Sequence, residues 1–298
     1  MAGLPLFVFL AFSWTYCQAN DVIHTPLSLK LSDLERGLKD HQLLQALTET
    51  GLVTVNLEDS GFRKARRTAL TGWCECSSRD GHGVASVAVD DGITIRTTLA
   101  TATVGSSPLA LPETDCGEPV VIAMETLRDT VATVSDYFSS ALDRLIGSCS
   151  KSKSFPLLYT NHGKTYHSLS SIRQEANHLE HFHHYQKTHV VEQETIRWHT
   201  DAGLFLAFVS SIDCSSGKED SSFWIKQNGH ELPVRLVLPE NSVAIMLGTG
   251  MEQWIATGLQ LHATPHAVQM RTGSSRAWYG MSKLSSFRDS CPFVPFCS

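Results

Sequence analysis

Apolar positions in the first half of the chain recur at helical spacing. A capping box at 32–35 predicts the start of a helix that ends at Gly51, and the basic segment 62–73 predicts a second helix. The segment 124–146 has an apolar residue at every third or fourth position, which predicts the longest helix, packed on a sheet or core. The apolar positions of the first helix are Leu34, Leu38, Leu43, Leu44 and Leu47.

The second half of the chain changes to short extended segments. From about Leu157 the pattern predicts eight or so strands with little helix, including hairpins around 161–163 and around Asn228-Gly229. Strands of this number and spacing are typical of a sandwich or barrel, including a jelly roll. The sequence therefore predicts a mainly β chain with flanking helices (α+β), in which a helical N-terminal α/β part, 20–150, packs on a β core, 151–298.

The first nineteen residues have the features of a targeting segment. An apolar run from Leu4 to Trp14 precedes Cys17 and Ala19, which stand at positions −3 and −1 of a cut after Ala19. This run is short for a bilayer span. We expect 1–19 to be a secretory signal peptide, with an uncleaved anchor as the alternative. The protein is then secreted or resides in the lumen of the secretory pathway, with no membrane span after signal removal.

Charge and cysteine content limit the expected partners and the redox state of the cysteines. The net charge is −6 and no Lys/Arg-rich run occurs, so nucleic acid is not an expected partner. We also expect the protein to be a monomer. Cleavage leaves seven cysteines, most of which should pair in an oxidising compartment. Spacing does not fix the connectivity, although Cys291 and Cys297 are near enough to close a terminal loop. The seven are Cys74, Cys76, Cys116, Cys149, Cys214, Cys291 and Cys297.

Histidines supply the candidate chemistry. Five of the fourteen fall within 178–189, where the simplest interpretation is a strand with solvated polar positions. The segment RWHTDAGLFLAF sets His199 and Asp201 two residues apart before an apolar run, so that in one strand both face the same side. His266 follows in another predicted strand. Two imidazoles and one carboxylate form the facial triad that binds iron(II) and leaves coordination positions open.

An arginine follows the last histidine by ten residues. Arg276 can bind an anionic co-substrate through two parallel hydrogen bonds. The order of His-x-Asp, His and Arg resembles that of the iron(II)/2-oxoglutarate-dependent dioxygenases, and within them the isopenicillin N synthase-like branch. The segments HTDAGLFLAF, 238–268 and the N-terminal 31–57 are similar to that branch, so the resemblance covers most of the mature chain.

This resemblance implies a fold, an activity and a site. The fold is a distorted double-stranded β-helix (jelly roll) for 151–298, and the activity is oxidation of a C–H bond of a small-molecule or peptidyl substrate by dioxygen. His199, Asp201 and His266 match the iron(II) ligands. Arg276 matches the arginine that binds the distal carboxylate of 2-oxoglutarate, and Tyr185 matches a tyrosine that assists it. Ascorbate is implied as an accessory reductant.

One departure from the family pattern concerns the co-substrate site, and two other functions remain open. The branch has Arg-x-Ser, but Trp278 stands in the serine position, with Ser275 near in sequence. A zinc-dependent hydrolase of cupin type also uses two histidines and a carboxylate, although it needs no Arg276. A non-catalytic binding protein on the same fold is the other alternative. Release of succinate from 2-oxoglutarate distinguishes the oxygenase from both.

Overall fold

A computed structural model gives the fold of most of the chain. The segment 1–19, predicted as a signal peptide, lies outside the described residues, and so do Cys291 and Cys297, which are near enough in sequence to close a terminal loop. The structure describes residues 22–77, 84–149, 156–159, 163–189, 194–230, 232–255 and 258–283.

The predicted helices are present, with one break. The predicted first helix is two helices, because Gly37 adopts a left-handed conformation (φ 68°) between them. The capping box at 32–35 is wrong: the helix is capped at Lys30, whose backbone N–H donates to the Asp33 carboxylate at 2.9 Å. Among the described residues the helices are α1 (Leu31–Arg36), α2 (Asp40–Glu49), α3 (Ser60–Cys76), α4 (Glu118–Cys149), α5 (Leu169–Glu175) and α6 (Thr249–Gln253).

Strands occur in both halves of the chain. Those before α4 are β1 (Ile23–His24), β2 (Leu27–Lys30), β3 (Leu52–Asn56), β4 (Val84–Ala88), β5 (Thr94–Val104) and β6 (Ser107–Pro108). Those after it are β7 (Leu158–Tyr159), β8 (Thr165–Tyr166), β9 (Asn177–Lys187), β10 (Ile196–His199), β11 (Phe205–Val209), β12 (Ile212–Asp213), β13 (Phe223–Ile225), β14 (Val234–Leu236), β15 (Ser242–Leu247), β16 (His266–Val268) and β17 (Ser275–Lys283).

Two sheets carry these strands. The major sheet has the order β2-β3-β15-β11-β17-β9-β5-β4, with β12 and β6 added beside β17 and β5. The minor sheet has the order β1-β14-β13-β16-β10, and β7 and β8 form a separate pair. Most pairings are antiparallel, and β2-β3 and β1-β14 are parallel. This arrangement agrees with the predicted α+β jelly-roll fold, and strands from the N-terminal half complete the major sheet.

The core lies between the helices and the major sheet. Strands β3, β11 and β15 read as almost continuous apolar runs because both of their faces are covered. Helix α4 turns its apolar stripe to this sheet, and the rings of Phe138 and Phe205 meet edge to face at 5.2 Å. The other face of the major sheet turns towards the minor sheet, and the two sheets enclose the cavity described below.

Two disulfides tie helix α3 to other parts of the fold. Cys74 pairs with Cys214, which directly follows β12, and Cys76 pairs with Cys116, which precedes α4. The sequence left this connectivity open. The prediction that most cysteines pair is confirmed for these four and stays a prediction for the others. Within the described residues, none of the helices is both long and apolar enough to span a bilayer.

Candidate functional site

His199, Asp201 and His266 converge at one point between the sheets. The Nε2 atoms of His199 and His266 lie 3.8 and 3.9 Å from the same Asp201 oxygen, Oδ1. One ligand atom from each of the three lies within 4.8 Å of the others. His199 ends β10 and is the direct cross-strand partner of His266, the first residue of β16. The pairing of two short strands therefore brings together residues that are far apart in sequence.

The backbone orients both imidazoles in the same way. Nδ1 of His199 lies 2.8 Å from the carbonyl of Arg197, and Nδ1 of His266 lies 3.0 Å from the carbonyl of Thr264. A carbonyl only accepts, so in both rings Nδ1 carries the hydrogen and donates it. This tautomer leaves both Nε2 lone pairs directed at Asp201, which is the arrangement that metal-binding histidines adopt.

Asp201 itself lies outside the strand in which the sequence placed it. The predicted continuous strand through His199 and the apolar run is wrong: β10 ends at His199, and β11 belongs to the other sheet. The crossing loop is held by 248–250, whose backbone N–H groups donate to the carbonyls of Leu204, Asp201 and Gly203 at 2.8–3.1 Å. A Cβ on Gly248 would stand 2.2 Å from the Gly203 carbonyl, so only glycine permits this contact.

The three side chains differ in exposure. The side chain of His266 is 5% exposed, whereas those of His199 and Asp201 are 42% and 28% exposed and stand at the mouth of the cavity. Burial lowers the pKa of His266; the Asp201 carboxylate opposes this shift, and His199 adds to it. The ring is therefore neutral near pH 7, which is the form that binds a metal ion.

A cavity of about 310 Å³ extends from this point along the major sheet. Arg276 and Tyr185 both line it, and they are direct cross-strand partners in β17 and β9. The Arg276 guanidinium lies 5.7 Å from the centre of the Tyr185 ring. Burial raises the pKa of the Tyr185 hydroxyl, and the charges of Arg276 and Arg96 only partly oppose this. Tyr185 is thus neutral and beside a cation.

Arg276 is buried and held by two side chains that the sequence did not indicate. Its Nη1 donates to Ser222 Oγ at 3.0 Å, and its Nε lies 3.3 Å from Asp220 Oδ2, an ion-pair distance without hydrogen-bond geometry. Ser222 also donates to Asp220 at 2.7 Å. A guanidinium has five N–H donors, so these contacts orient Arg276 without saturating it.

The residue in the serine position of Arg-x-Ser has a different role here. Trp278 lines the cavity and stacks on His183 with ring centres 5.4 Å apart. Gly280 makes room for it, since a Cβ there would stand 2.5 Å from the indole ring. Ser275 does not replace the missing hydroxyl, because it faces the other side of β17 and contacts His184 Nε2 at 2.6 Å. Instead, the hydroxyl beside Arg276 comes from Ser222.

The histidine-rich segment is a strand, but its expected solvation is wrong. Strand β9 pairs along one edge with β5 and along the other with β17. One face of the strand borders the cavity, and helices cover the opposite face. His178 is fully buried, and His183 and His184 are almost so. His181 and His183 line the cavity, and so does Arg96 from β5, a residue that the sequence analysis missed. Polar alternation alone does not tell a buried polar strand from an exposed one.

Comparisons with known proteins bear on the fold. No family model and no curated protein sequence matches the chain. Among solved structures, a rice dioxygenase for auxin oxidation is similar with a TM-score of 0.59 and 14% identity, over 90% of this chain and 86% of that one. JOX2 in complex with 2OG, Fe and JA is similar with a TM-score of 0.63 and 9% identity, over 93% and 79%. A Neurospora crassa protein in complex with alpha-KG and 5-formyluracil is similar with a TM-score of 0.53 and 12% identity, over 87% of this chain and 84% of that one.

These likenesses concern three-dimensional structure at low sequence identity. The chain has the fold found in 2-oxoglutarate- and iron-dependent dioxygenases, as the sequence resemblance predicted. The similarity extends over 87–93% of this chain. What the side chains of this cavity do is a separate question, because one fold supports many activities.

Proposed function

We propose that this protein is an iron(II)/2-oxoglutarate-dependent oxygenase of the isopenicillin N synthase-like branch, which oxidises a C–H bond of a small-molecule or peptidyl substrate. The observation that carries the proposal is the convergence of His199, Asp201 and His266. Both imidazoles turn Nε2 to one carboxylate oxygen, and both are fixed through Nδ1 by backbone carbonyls. Two histidines and a carboxylate on one face are the donor set of non-haem iron(II) oxygenases.

Each remaining group of the cavity has a task in such a reaction. Iron(II), 2-oxoglutarate and dioxygen together supply the oxidising power, with succinate and carbon dioxide formed from the co-substrate. We assign the three converging side chains to the metal and Arg276 to the distal carboxylate of 2-oxoglutarate. Asp220 and Ser222 orient the guanidinium, and neutral Tyr185 offers a hydroxyl beside it. Arg276 and Tyr185 are both buried, so this end of the cavity is shielded from bulk solvent.

The cavity limits the size of the substrate. Its volume of about 310 Å³ lies at the lower end of the range of roughly 300–1,000 Å³ for ligand pockets. The metal and co-substrate occupy part of it, so we expect a small substrate or the end of a peptide. The ligands of two similar structures, JA with JOX2 and 5-formyluracil with the Neurospora crassa protein, are small molecules as well.

A metal-binding and turnover experiment tests the proposal. The purified protein is titrated with Mn(II), followed by electron paramagnetic resonance, and succinate is measured after addition of 2-oxoglutarate, iron(II) and ascorbate. We expect one Mn(II) per chain and iron-dependent succinate release. Metal binding without any use of 2-oxoglutarate favours a metal-dependent enzyme of another class, such as a zinc hydrolase. Absence of Mn(II) binding would favour the other alternative, a non-catalytic binding protein on this fold.

Asp201→Ala is the variant that ties the activity to the site. It removes the sole anionic ligand of the proposed metal, so we expect loss of both Mn(II) binding and succinate release. Asp129→Ala, at an exposed position of α4, is the control and should change neither. Wild-type metal content and turnover in Asp201→Ala would refute the assignment.

We also propose that the protein works in an oxidising compartment and starts near Asn20. The two disulfides support this, because such bonds persist in secreted and lumenal proteins. The mass of the intact secreted protein, with and without reductant, tests both points. A full-length chain with free thiols at Cys74, Cys76, Cys116 and Cys214 would contradict them.

A further inference from the structure

Arg96 is a second guanidinium on the cavity wall, and the proposed metal and co-substrate sites do not use it. It comes from β5 and lines the cavity together with Arg276. Its Nε atom is buried and makes no hydrogen bond within the described part of the chain. The half-buried guanidinium contacts the neutral hydroxyl of Tyr185 and has no anionic partner, so a ligand carboxylate would supply the missing counter-charge.

The register of the major sheet sets Arg96 and Arg276 on either side of Tyr185. Tyr185 in β9 is the direct partner of Arg276 in β17 and of Arg96 in β5, so all three share one face. Neighbouring strands are about 4.8 Å apart, and the two arginines therefore start about 10 Å from each other. They are separate binding points along the same wall.

The two arginines differ in charge compensation. The guanidinium of Arg276 is 3.3 Å from the Asp220 carboxylate, whereas no Asp or Glu of the described residues lies within ion-pair distance of Arg96. The carboxylate that does line the cavity is Asp201, which faces the two histidines. The end of the cavity near Arg96 thus carries an uncompensated positive charge.

The side chains beside Arg96 are neutral rings. His181, His183 and Trp278 stack in succession, with ring centres 5.1 and 5.4 Å apart. Burial lowers the pKa of His181, and the charge of Arg96 lowers it further, so this histidine does not add a second cation. A single positive charge flanked by uncharged rings matches a singly charged anion on an apolar body better than a dianionic phosphate.

We propose that Arg96 binds a carboxylate of the substrate, whose body lies along the His181–His183–Trp278 stack. This deepens the proposed function and rests on it, because it defines the substrate of that site as a small carboxylic acid. Arg276 then serves the co-substrate and Arg96 the substrate. The planar fork of Arg96 matches a carboxylate, so a lysine in its place would keep the charge but lose the paired hydrogen bonds.

Matched acids and amides test the proposal on protein loaded with Mn(II) and 2-oxoglutarate. The probes are phenylacetate with phenylacetamide and hexanoate with hexanamide, and binding is measured by calorimetry or ligand-observed NMR. We expect the wild type to bind at least one acid ten times more tightly than its amide. Arg96→Gln should abolish this preference, Arg96→Lys should keep part of it, and both should bind Mn(II) and 2-oxoglutarate normally. Arg63→Gln, on the exposed side of α3, is the control.

Several results would overturn the proposal. One is the absence of an acid preference in the wild type, and another is an unchanged preference in Arg96→Gln. A loss of 2-oxoglutarate affinity in Arg96→Gln, with the acid preference intact, would make Arg96 part of the co-substrate site instead. The same titrations on metal-free protein separate this proposal from the proposed function. An Arg96-dependent acid preference there supports the carboxylate site even if 2-oxoglutarate does not bind.

Discussion

Strand β9 presents buried polar side chains to both of its faces. Towards the helices, Glu180 accepts hydrogen bonds from Arg128, Tyr279 and Thr103, and His184 contacts a serine hydroxyl at each ring nitrogen. Towards the cavity, the Nε atoms of Arg96 and Arg276, on the strands beside β9, are buried and make no hydrogen bond in the described structure. Each guanidinium nitrogen of Arg128 on the helix face makes a hydrogen bond, whereas both arginines on the cavity face leave one nitrogen without a partner.

This difference distinguishes buried polar groups that stabilise the fold from buried polar groups that are available to a ligand. A buried polar group is tolerated when its hydrogen bonds are made within the protein, so the helix face of β9 needs no ligand. The cavity face leaves buried donors open, and open donors are stabilised when a ligand of matching charge arrives. Changes on the helix face should therefore alter stability, whereas changes on the cavity face should alter ligand affinity.

The largest effect is expected on the helix face, at Glu180. Its carboxylate is fully buried and lies 2.8 Å from Nε of the equally buried Arg128. Glu180→Gln removes the buried counter-charge of Arg128 and leaves it only the partly exposed Glu125, and loss of a buried ion-pair partner typically costs about 3–5 kcal/mol. Urea unfolding at neutral pH measures the loss. Binding of Mn(II) by the folded variant should stay at the wild-type level.

Glu125→Gln is a matched control, since Glu125 contacts the same arginine. Its carboxylate lies 3.0 Å from Arg128 Nη1 but is 42% exposed, so its removal should cost less than about 1 kcal/mol. Equal losses in the two variants would show that burial does not distinguish the two contacts. A loss of metal affinity in Glu180→Gln would break the division between the faces.

The second predicted effect is a loss of stability at acid pH that is caused by His178. Burial lowers its pKa from 6.5 to about 4, with the charge of Lys283 adding to the shift. The folded state therefore favours the neutral ring. The contribution of this pKa shift to the free energy of unfolding is complete above about pH 6.5. It is lost as the pH falls towards 4, because the unfolded chain takes up the proton first. The full difference corresponds to about 3 kcal/mol.

Urea unfolding at pH 7.5 and pH 5 measures this contribution. Most of it, about 2 kcal/mol, should be lost between these two values in the wild type. His178→Gln should show a pH dependence that is smaller by this amount, whatever its stability at pH 7.5. His230→Gln, at an exposed position, should keep the wild-type dependence. Identical pH dependence in His178→Gln and the wild type would contradict the assignment.

On the cavity face, Arg276→Ala should weaken 2-oxoglutarate binding by about 30-fold or more. Loss of a buried charged partner costs roughly 2–5 kcal/mol, and each 1.4 kcal/mol is tenfold. Calorimetric titration of 2-oxoglutarate into Mn(II)-loaded protein measures the change, and Mn(II) affinity should stay the same. Because Ala also leaves Asp220 unpaired, Arg276→Lys serves as a second variant with the charge kept. Wild-type 2-oxoglutarate affinity in both variants would mean that the co-substrate binds elsewhere.

The sequence revealed the parts of this site that are ordered along the chain. His199, Asp201, His266 and Arg276 could be selected because their spacing and order resemble a family pattern. The long helix α4 was predictable because its apolar positions repeat through more than six turns. Local signals of this kind need no knowledge of strand order.

The parts that were missed depend on pairing between distant strands. Arg96 joins the cavity because β5 pairs with β9, and Ser222 reaches Arg276 across 54 residues. The expected solvation of β9 failed for the same reason, since its partners lie far away in sequence. Asp201 was placed in a strand because period-two spacing does not reveal where a chain crosses between sheets.

The smallest predicted effect tests whether Ser222 replaces the serine of Arg-x-Ser. Its hydroxyl accepts from Arg276 Nη1 at 3.0 Å and donates to Asp220 at 2.7 Å. A single hydrogen bond of this kind is worth about 0.5–1.5 kcal/mol. Ser222→Ala should therefore weaken 2-oxoglutarate binding about three- to tenfold, because the guanidinium keeps its charge and loses one orienting contact. Mn(II) affinity should not change.

Ser211 provides the matched control for this variant. Its hydroxyl donates to the same Asp220 oxygen at 3.0 Å, and no hydrogen bond joins it to Arg276 in the described structure. Ser211→Ala should leave 2-oxoglutarate affinity at the wild-type value if the direct contact matters. Equal weakening in both variants would assign the effect to Asp220, with the hydroxyl groups acting only through that carboxylate. No weakening in Ser222→Ala would mean that strand β17 and Asp220 alone position Arg276, and that this site has no counterpart of the Arg-x-Ser hydroxyl.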